Sequence, residues 1–322
     1  MADKGHVVAG SDRAFDKNPN HPVYKILKYR GVSIIPQDGS GIDSSVDIAV
    51  FSTAVEHDQP EYLKAKTLNI PIKTRPEYLA EIISDFKTIA VAGTSGKSTT
   101  SGMLAFLMHR LGLNPNFIGG GRVKQFKTET NPGNSSTGDS DFLVIEACES
   151  DGTIVNYKPE HSIISNLELD HHFVDKTAGM FEALAKNTRG KVIVNADDTN
   201  LMKISIKNPA TFSIDNPSNY MASDITYKPL GTDFSLNGTK LSLSLPGKYN
   251  LYNAVSCIAF LSETGVALKD IAEILHEFKG IERRFDIHLN TGRKLVIDNY
   301  AHNPHKISSL MQTVKNLKEN IC

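Results

Sequence analysis

The chain has 322 residues, of which 40% are hydrophobic and 22% are charged, and its formal net charge is −1. This composition is typical of a soluble globular protein, and the length predicts two or three domains. The balanced charge argues against a nucleic-acid-binding surface, and the sequence contains no run of about 18 apolar residues that would predict a membrane span.

The first segment alternates short strand-like and helix-like stretches. "GHVVAGSD" and "VDIAVFSTAV" predict strands that each end in a polar turn, and "HPVYKILKYRG" and "QPEYLKAKTLN" predict helices. "IPIKTRPEYLAEIISDF" adds another strand and another helix. Such alternation predicts an α/β domain with a parallel sheet.

A second unit begins near Lys87 with the buried strand "TIAVAG" and the helix "KSTTSGMLAFLMHRLG", joined by a glycine-rich turn. Backbone N–H groups at such a helix N-terminus face an anion, and the helix dipole favours its charge. Lys97 adds a positive charge, and Ser98 is placed to reach a magnesium ion. We interpret the turn as a phosphate-binding loop; the alternative is a plain strand–helix turn.

The loop is shorter than the usual phosphate-loop pattern. That pattern places its first glycine five residues before the glycine of Gly-Lys-Ser. Here that position is Val91, and the nearest glycine before Gly96 is Gly93. From the spacing alone, both a short phosphate loop and a plain glycine turn remain open.

Further elements extend this second unit. Three buried strands are predicted: "DFLVIEA", "HSIISNLE" and "KVIVNAD". The period-two alternation that follows, with Asn237-Gly238 at its centre, predicts an antiparallel hairpin beside the parallel sheet. Two helices complete the unit: "NLYNAVSCIAFLSETG" and "LKDIAEILHEFKG".

Carboxylates follow the strand "DFLVIEA". In open parallel sheets ligands bind at the carboxyl ends of the strands, where carboxylates can hold magnesium beside phosphates. We favour such a role for Glu146, which comes directly after the strand, and a solvated turn for Asp151. Glu149 lies between them and fits either reading.

Acidic residues and histidines follow the next strand, in "NLELDHHF". Adjacent side chains of an extended chain point to opposite sides, so we do not expect His171 and His172 to meet one ion. Magnesium also prefers oxygen ligands. Lys186, on the helix that follows, is interpreted as a surface lysine.

The last segment, "RKLVIDNYAHNPHKISSLMQTVKNLKEN", predicts one strand and one helix. A lone pair of this kind cannot bury its own faces. The other end of the chain enters almost directly on a strand. We therefore expect both end domains to be incomplete.

The spacing of the three cysteines indicates the redox state of the cellular compartment. Cys148, Cys257 and Cys322 are scattered and fit neither a metal-binding spacing nor a disulfide framework. That usage is typical of a reducing cytoplasm. We interpret Cys148 and Cys257 as buried, inert thiols.

Six stretches, in order, are similar to motifs of the Mur ligase family, the ATP-dependent amide-forming enzymes of peptidoglycan synthesis. "GTSGKSTT" resembles the family's short phosphate loop, and "EACESD" resembles a stretch of its alanine-adding branch. The others are "NLELDH", "LPGKYNLYNA", "IERRFD" and "VIDNYAHNP". The N-terminal segment resembles the nucleotide-sugar domain of that branch, so the resemblance spans nearly the whole chain.

The resemblance implies an α/β fold in three domains. Residues 1–86 would form an incomplete Rossmann-like domain that binds the UDP-sugar. Residues 87–287 would form the central ATP-binding domain, with a mostly parallel sheet and a small antiparallel part. Residues 288–322 would begin a truncated, Rossmann-like domain that binds the amino acid.

The resemblance also implies a reaction. ATP would phosphorylate the lactyl carboxylate of UDP-N-acetylmuramate, and the amino group of L-alanine would then displace the phosphate. This chemistry depends on positioning and on neutralisation of charge. The implied catalytic residues are Lys97, Glu146 and His171, and the implied Mg²⁺ ligands are Ser98, Glu146 and His171. The implied nucleotide-binding residues are Gly93, Thr94, Ser95, Gly96, Lys97, Ser98, Thr99, Asn253, Arg284, Asp298 and Asn299.

Four features depart from the family pattern. The opening strand–helix unit with its G-x-G-G-x-G loop is absent, and the C-terminal domain stops after about one such unit. Asn299 stands where the family has a ribose-contacting aspartate, with Asp298 just before it. Tyr249 replaces the histidine of "G-x-H-N".

Two other functions remain open at this point. One is a related ligase with another substrate, such as a recycled murein tripeptide or a folate. The other is a non-catalytic ATP-binding module. No nucleic-acid or membrane partner is expected, and the sequence does not predict an oligomeric state.

Overall fold

The computed structural model describes residues 1–18, 20–302 and 304–315. They form two compact units: one comprises Met1–Asp85 with Lys127–Pro132, and the other comprises Phe86–Phe126 with the chain from Gly133 onward. The segment from residue 288 lies in the second unit, and the division into three domains remains a prediction. Cys322 and the end of the last predicted helix lie outside the described residues.

The first unit contains short strands and helices in the predicted alternation. Its strands are β1 (Ala9–Gly10), β2 (Ser33–Ile34), β3 (Ala49–Phe51) and β4 (Ile72–Thr74). Its helices are α1 (Arg13–Lys17), α2 (Pro22–Tyr29), α3 (Pro60–Thr67) and α4 (Arg75–Ser84), after a 3₁₀ turn at Ala2–Lys4. β1 pairs with β2 and β3 with β4, both in parallel. α4 begins at a capping box, in which Thr74 and Glu77 bond each other's backbone N–H groups.

The second unit is built on one sheet of ten strands in the described chain. These strands are β5 (Lys87–Ala92), β6 (Asn116–Ile118), β7 (Ser135–Ser136), β8 (Phe142–Glu146), β9 (His161–Ile164), β10 (Val192–Asn195), β11 (Ala210–Ser213), β12 (Tyr220–Lys228), β13 (Gly231–Leu236) and β14 (Thr239–Leu243). Their order is β14-β13-β12-β11-β10-β9-β5-β8-β6-β7. β5 therefore lies between β8 and β9, and all three run parallel.

Helices cover this sheet. They are α5 (Lys97–Arg110), α6 (Val174–Asn187), α7 (Lys248–Glu263) and α8 (Leu268–Leu275). Short 3₁₀ turns lie at Lys124–Phe126, Thr153–Asn156 and Leu201–Lys203. α5 is buried from Ser98 to Met108, so its polar first turns are enclosed together with the predicted apolar stripe. The main hydrophobic core joins α5, α7 and α8 to the sheet.

The antiparallel part predicted from the Asn-Gly pair is confirmed. β13 and β14 pair in antiparallel fashion around Asn237 and Gly238, whose φ angles are 47° and 81°. Positive φ at both positions is typical of the tight hairpin turn that follows the twist of the strands. β12 pairs in parallel with β11 and antiparallel with β13, so the sheet changes direction at this strand.

The C-terminal segment contains a strand that the sequence analysis missed. β15 (Asp286–Asn290) pairs in antiparallel fashion with β16 (Leu295–Asp298), and α9 (Pro304–Lys315) follows. The strand of the predicted strand–helix pair is β16, and it therefore forms a hairpin with β15.

Among the described residues, no helix combines the length and the apolar character needed to cross a bilayer.

Candidate functional site

The predicted phosphate loop leaves the carboxyl end of β5 and enters α5. Gly93 has a φ of 141°, and Gly96 has a φ of 82°. A Cβ atom would lie 2.2 Å from Ser165 Oγ at the first position and 2.5 Å from Asn253 Oδ1 at the second. Both positions therefore require glycine, for backbone conformation and for space.

Asn166, which follows β9, fastens the loop. Its Oδ1 accepts hydrogen bonds from Ser95 N at 2.7 Å and from Thr94 Oγ1 at 2.8 Å. Its Nδ2 donates to Ser95 O at 2.9 Å, and Thr94 Oγ1 accepts from Glu168 N at 3.0 Å. The Ser95 N–H is thus occupied within the loop. The N–H groups of the first turn of α5 are different groups, and they can face an anion.

Lys97, in the first turn of α5, lies across the loop. Its Nζ donates to Gly93 O at 2.6 Å and to the two carboxylate oxygens of Glu149 at 3.1 and 2.9 Å. Glu149 is one of the acidic residues that follow β8, and it is buried. The ammonium group is therefore held at the mouth of the loop by a buried ion pair.

Ser98 and Glu146 face the same glycine segment. Glu146 Oε2 accepts a hydrogen bond from Gly120 N at 2.9 Å. A Cβ atom on Gly121 would lie 3.2 Å from Ser98 Cβ. A hydroxyl and a carboxylate are the hard oxygen donors that magnesium prefers, so this pair fits the metal implied for it.

His171 lies in the exposed turn between β9 and α6. Within the described part of the chain, no recorded hydrogen bond or ion pair connects it to the loop, and its predicted metal-binding role remains a prediction. Of its neighbours, Asp170 pairs with Lys306 of α9 at 2.9 Å, whereas the buried Nε2 of His172 lacks a hydrogen-bond partner among the described residues.

A cavity of about 510 Å³ opens beside the loop. Six predicted site residues line it: Ser95, Gly96, Thr99, Asn253, Arg284 and Asn299. Most of the remaining wall comes from the carboxyl ends of β9 and β10, the first turns of α7 and one face of α9, and Tyr227 of β12 and Ala301 also line it. Its volume and position suit a small ligand at the edge of a parallel sheet.

Asn253 joins two helices behind the loop. It is buried on α7, and its Oδ1 accepts from Thr100 Oγ1 of α5 at 3.1 Å. The same amide contacts the position where Gly96 lacks a side chain. Asn253 therefore supports the loop as well as lining the cavity.

Arg284 stands in an unusual stretch of backbone. Arg283 and Phe285 on either side have φ angles of 59° and 53°, in the left-handed region that side chains other than glycine rarely adopt. Burial lowers the pKa of Arg284, and the Glu146 charge opposes that shift. Its guanidinium carbon lies 5.2 Å from the ring centroid of Tyr300. The strained turn thus holds a half-buried cation at the cavity wall.

Asn299 and Asp298 differ in their contacts. Asn299 Oδ1 accepts from Phe285 N at 2.8 Å, so this predicted ligand residue also supports the strained turn. Asp298 pairs with Arg283 at 3.5 Å and is partly exposed. Only Asn299 of the two is among the cavity-lining residues, and a nucleotide contact by either remains a prediction.

Two tyrosines of α7, Tyr249 and Tyr252, also line the cavity. Tyr252 donates to Asp197 Oδ2 at 2.9 Å, and Asp197 also accepts from three backbone N–H groups of the turn after β11. Burial raises the pKa of Tyr249 to about 12. Burial and the hydrogen bond to Asp197 also raise the pKa of Tyr252, so both tyrosines are neutral hydroxyl groups at physiological pH.

Sequence reasoning assigned no site role to Asn166, Gly120 or Gly121 and left Glu149 undecided. The order of the strands explains why. β8 and β9 flank β5, so the residues that follow them meet the loop, although they are far from it along the chain. The available signals were the polar residues that follow the buried strands and the family-like stretches "EACESD" and "NLELDH", which contain Glu149 and Asn166.

Comparisons with known proteins agree with this architecture. The family model described as the Mur ligase middle domain matches residues 91–261, and the one described as Mur ligase family, catalytic domain, matches residues 1–87. The UDP-N-acetylmuramate–L-alanine ligase of Carboxydothermus hydrogenoformans is 32% identical over 340 residues, which cover 99% of this chain and 70% of that protein.

Solved structures of two ligases are also similar. A UDP-N-acetylmuramate–alanine ligase of Thermotoga maritima superposes with a TM-score of 0.85 at 28% identity, over 99% of this chain and 74% of that one. A murein peptide ligase of Psychrobacter arcticus gives a TM-score of 0.80 at 27% identity, over 98% and 72%. The family models and the relative together show that the chain belongs to the Mur ligase family.

Proposed function

We propose that the protein is an ATP-dependent carboxylate–amine ligase that joins L-alanine to the lactyl carboxylate of UDP-N-acetylmuramate. The observation that carries the proposal is the phosphate loop, which holds a lysine paired with the buried Glu149 beside a cavity of about 510 Å³. The names of the relatives support the choice of substrates, since several proteins 32% identical to this chain are named UDP-N-acetylmuramate–L-alanine ligase.

The reaction has two steps. A carboxylate oxygen attacks the γ-phosphorus of ATP, and ADP leaves. The amino nitrogen of L-alanine then attacks the acyl carbon, phosphate leaves, and the nitrogen loses a proton to give the amide. Neither step changes an oxidation state, so the protein has to position the reactants and neutralise charge.

The chain's own groups divide these tasks. The N–H groups at the start of α5 and the ammonium of Lys97 bind the phosphates. Asn253, Arg284 and Asn299 line the cavity where the rest of the nucleotide would lie, and Arg284 adds a half-buried positive charge. Gly93, Thr94 and Ser95 set the shape of the loop, and the hydrogen bonds of Asn166 to Thr94 and Ser95 maintain that shape.

Magnesium is part of the proposal. Ser98 and Glu146 would hold it, because both are oxygen donors that face the Gly120–Gly121 segment. When bound, the ion would neutralise charge on the phosphates. A second site at His171 rests on the family resemblance alone.

A ligase for a murein peptide is the second candidate. The similarity to the Psychrobacter arcticus murein peptide ligase, with a TM-score of 0.80, favours it. The two candidates share ATP and the nucleotide-sugar acceptor and differ in the amine that is added.

A cytoplasmic location is also proposed, because the scattered cysteines are typical of a reducing compartment.

Omission of single substrates tests the proposal. ADP release is measured with ATP, Mg²⁺, UDP-N-acetylmuramate and L-alanine, and with each component left out in turn. We expect ADP only in the complete mixture, and mass spectrometry should find the UDP-linked alanine amide. Release that requires the tripeptide L-alanyl-γ-D-glutamyl-meso-diaminopimelate and ignores L-alanine would favour the second candidate instead.

A further inference from the structure

Glu149 is the charged partner of Lys97, and neither side chain is free to move into solvent. The side chain of Glu149 is 1% exposed and that of Lys97 is 11% exposed. An ammonium group has three N–H donors. Both Glu149 oxygens and Gly93 O lie within 3.1 Å of Lys97 Nζ, so these three acceptors use every donor.

A phosphate oxygen can bond to Lys97 only by replacing one of these acceptors. Gly93 O is a neutral carbonyl, whose hydrogen bond has a modest net value. Glu149 is a buried carboxylate, and separating it from its cation leaves an uncompensated charge in the protein interior. The second exchange costs far more free energy than the first. The Gly93 carbonyl is therefore the acceptor that leaves.

We propose that Glu149 is a positioning residue for Lys97: it stays paired with the ammonium when nucleotide binds, while a phosphate oxygen takes the place of Gly93 O. The inference rests on the proposed function, because it assumes that the ligand is a nucleotide phosphate. Glu149 touches neither substrate nor metal in this arrangement. It acts by fixing the direction in which Lys97 offers its free N–H.

The substitution Glu149→Gln removes the negative charge of the side chain and keeps its size and shape. The amide keeps the volume and one acceptor oxygen, but it no longer anchors the ammonium electrostatically. Loss of orientation weakens ATP binding, whereas loss of a negative charge near the phosphates strengthens it, so the two effects oppose each other. In the transition state the loss of orientation is not offset in this way. Negative charge develops there, and only a correctly placed ammonium group stabilises it.

Steady-state kinetics test this division. We expect Glu149→Gln to lower kcat at least about tenfold, with the KM for ATP within about threefold of the wild type. Glu149→Asp, which keeps the charge, should recover part of kcat. The matched control is Glu160→Gln, which removes the exposed ion pair with Arg189 at the other end of β9.

A Glu149→Gln enzyme with wild-type kcat would overturn the proposal. So would a parallel loss of kcat and of ATP affinity, because that pattern indicates a general loosening of the loop; a loss of thermal stability alone is expected from the unpaired ammonium.

A crystal structure with Mg²⁺ and β,γ-methylene-ATP tests the exchange without turnover. We expect Lys97 Nζ to remain within ion-pair distance of Glu149 and to have left Gly93 O for a phosphate oxygen. Lys97 bonded to Gly93 O and separated from Glu149 would contradict the inference. If the wild type releases no ADP in the ligase assay, the proposed function fails, while this structure still decides which acceptor leaves.

Discussion

The side chains around Lys97 depend on one another because most of them are buried. Glu149 has its charge balanced by Lys97, and Asn166 has its amide used by Thr94 and Ser95. A substitution at one residue therefore leaves a polar partner behind. Variants in this site need controls that separate loss of stability from loss of ligand binding.

Lys97→Met should destabilise the protein as well as impair ATP binding. It leaves the Glu149 carboxylate buried without a cation, and breaking a buried pair in this way costs about 3–5 kcal/mol. The double variant Lys97→Met/Glu149→Gln should recover most of the free energy of unfolding and still bind ATP poorly. Urea denaturation and calorimetry measure the two quantities. A single variant as stable as the wild type would show that the pair is not buried in solution.

Asn166→Ala should weaken ATP binding at least about tenfold, because it removes the bonds that fix Ser95 and Thr94 and leaves buried groups unpaired. Calorimetry measures the affinity. The matched control is Asn219→Ala: Asn219 Oδ1 accepts from Thr211 N and Thr211 Oγ1, both at 2.9 Å, away from the loop. The control should change stability and leave ATP affinity unaltered. Equal effects of the two variants on affinity would argue against a specific role for Asn166.

Among the elements, the connection from β5 through the loop to α5 positions the site. The strand is buried between two parallel neighbours, and the helix is buried from Ser98 to Met108. The loop between them therefore has rigid ends. Its shape depends on two glycines whose missing side chains make room for Ser165 and Asn253.

Gly96→Ala should impair ATP binding and lower stability. Gly96 and Gly112 have similar φ angles, 82° and 75°, but only at Gly96 would a Cβ meet another atom within 4 Å. Gly112→Ala therefore measures the backbone cost alone, about 1 kcal/mol. The extra loss of stability in Gly96→Ala, measured by thermal unfolding, should exceed that cost. Equal losses would mean that Asn253 moves aside freely.

The start of β9 should make stability depend on pH. Burial lowers the pKa of His161 from its ordinary value of 6.5, Glu160 opposes the shift and Lys191 adds to it. Since the folded pKa lies below the unfolded one, the unfolded chain takes up the proton first. The stabilisation from neutral His161 is complete above pH 6.5 and declines as the pH falls through the folded pKa.

His161→Asn provides the measurement. The ring Nδ1 accepts from Lys191 N at 2.9 Å, and the Oδ1 of asparagine, which is likewise bonded to Cγ, can replace that acceptor. We expect the difference in free energy of unfolding between wild type and variant to shrink from about pH 8 to about pH 5. A difference that does not change with pH would contradict the assignment.

Local signals in the sequence predicted much of this second unit. The apolar strand, the glycine turn and the helix identified the loop, and Asn237-Gly238 identified the hairpin, because each signal lies within one short stretch. β15 was missed because "DIHLN" is polar and mostly exposed. Asn166 and Glu149 could not be assigned because their partners depend on which strands flank β5, and strand order is not a local property.

For the whole molecule, the family assignment and the proposed chemistry rest on different observations. Two family models cover most of the chain, and the similar structures extend over nearly all of it. The ligase function additionally needs the loop, Lys97 and the cavity to serve one nucleotide. Tyr249 and Asn299, at which the sequence analysis expects departures from the family pattern, both line that cavity.

Transfer of an oxygen label tests the central claim most directly. UDP-N-acetylmuramate is labelled with ¹⁸O in its lactyl carboxylate and incubated with the protein, Mg²⁺, ATP and L-alanine, and the released phosphate is analysed by mass spectrometry. Because the carboxylate oxygen attacks the γ-phosphorus and leaves with the phosphate, we expect one labelled oxygen in each phosphate formed. Unlabelled phosphate, or labelled phosphate that forms with the tripeptide and not with L-alanine, would contradict the account.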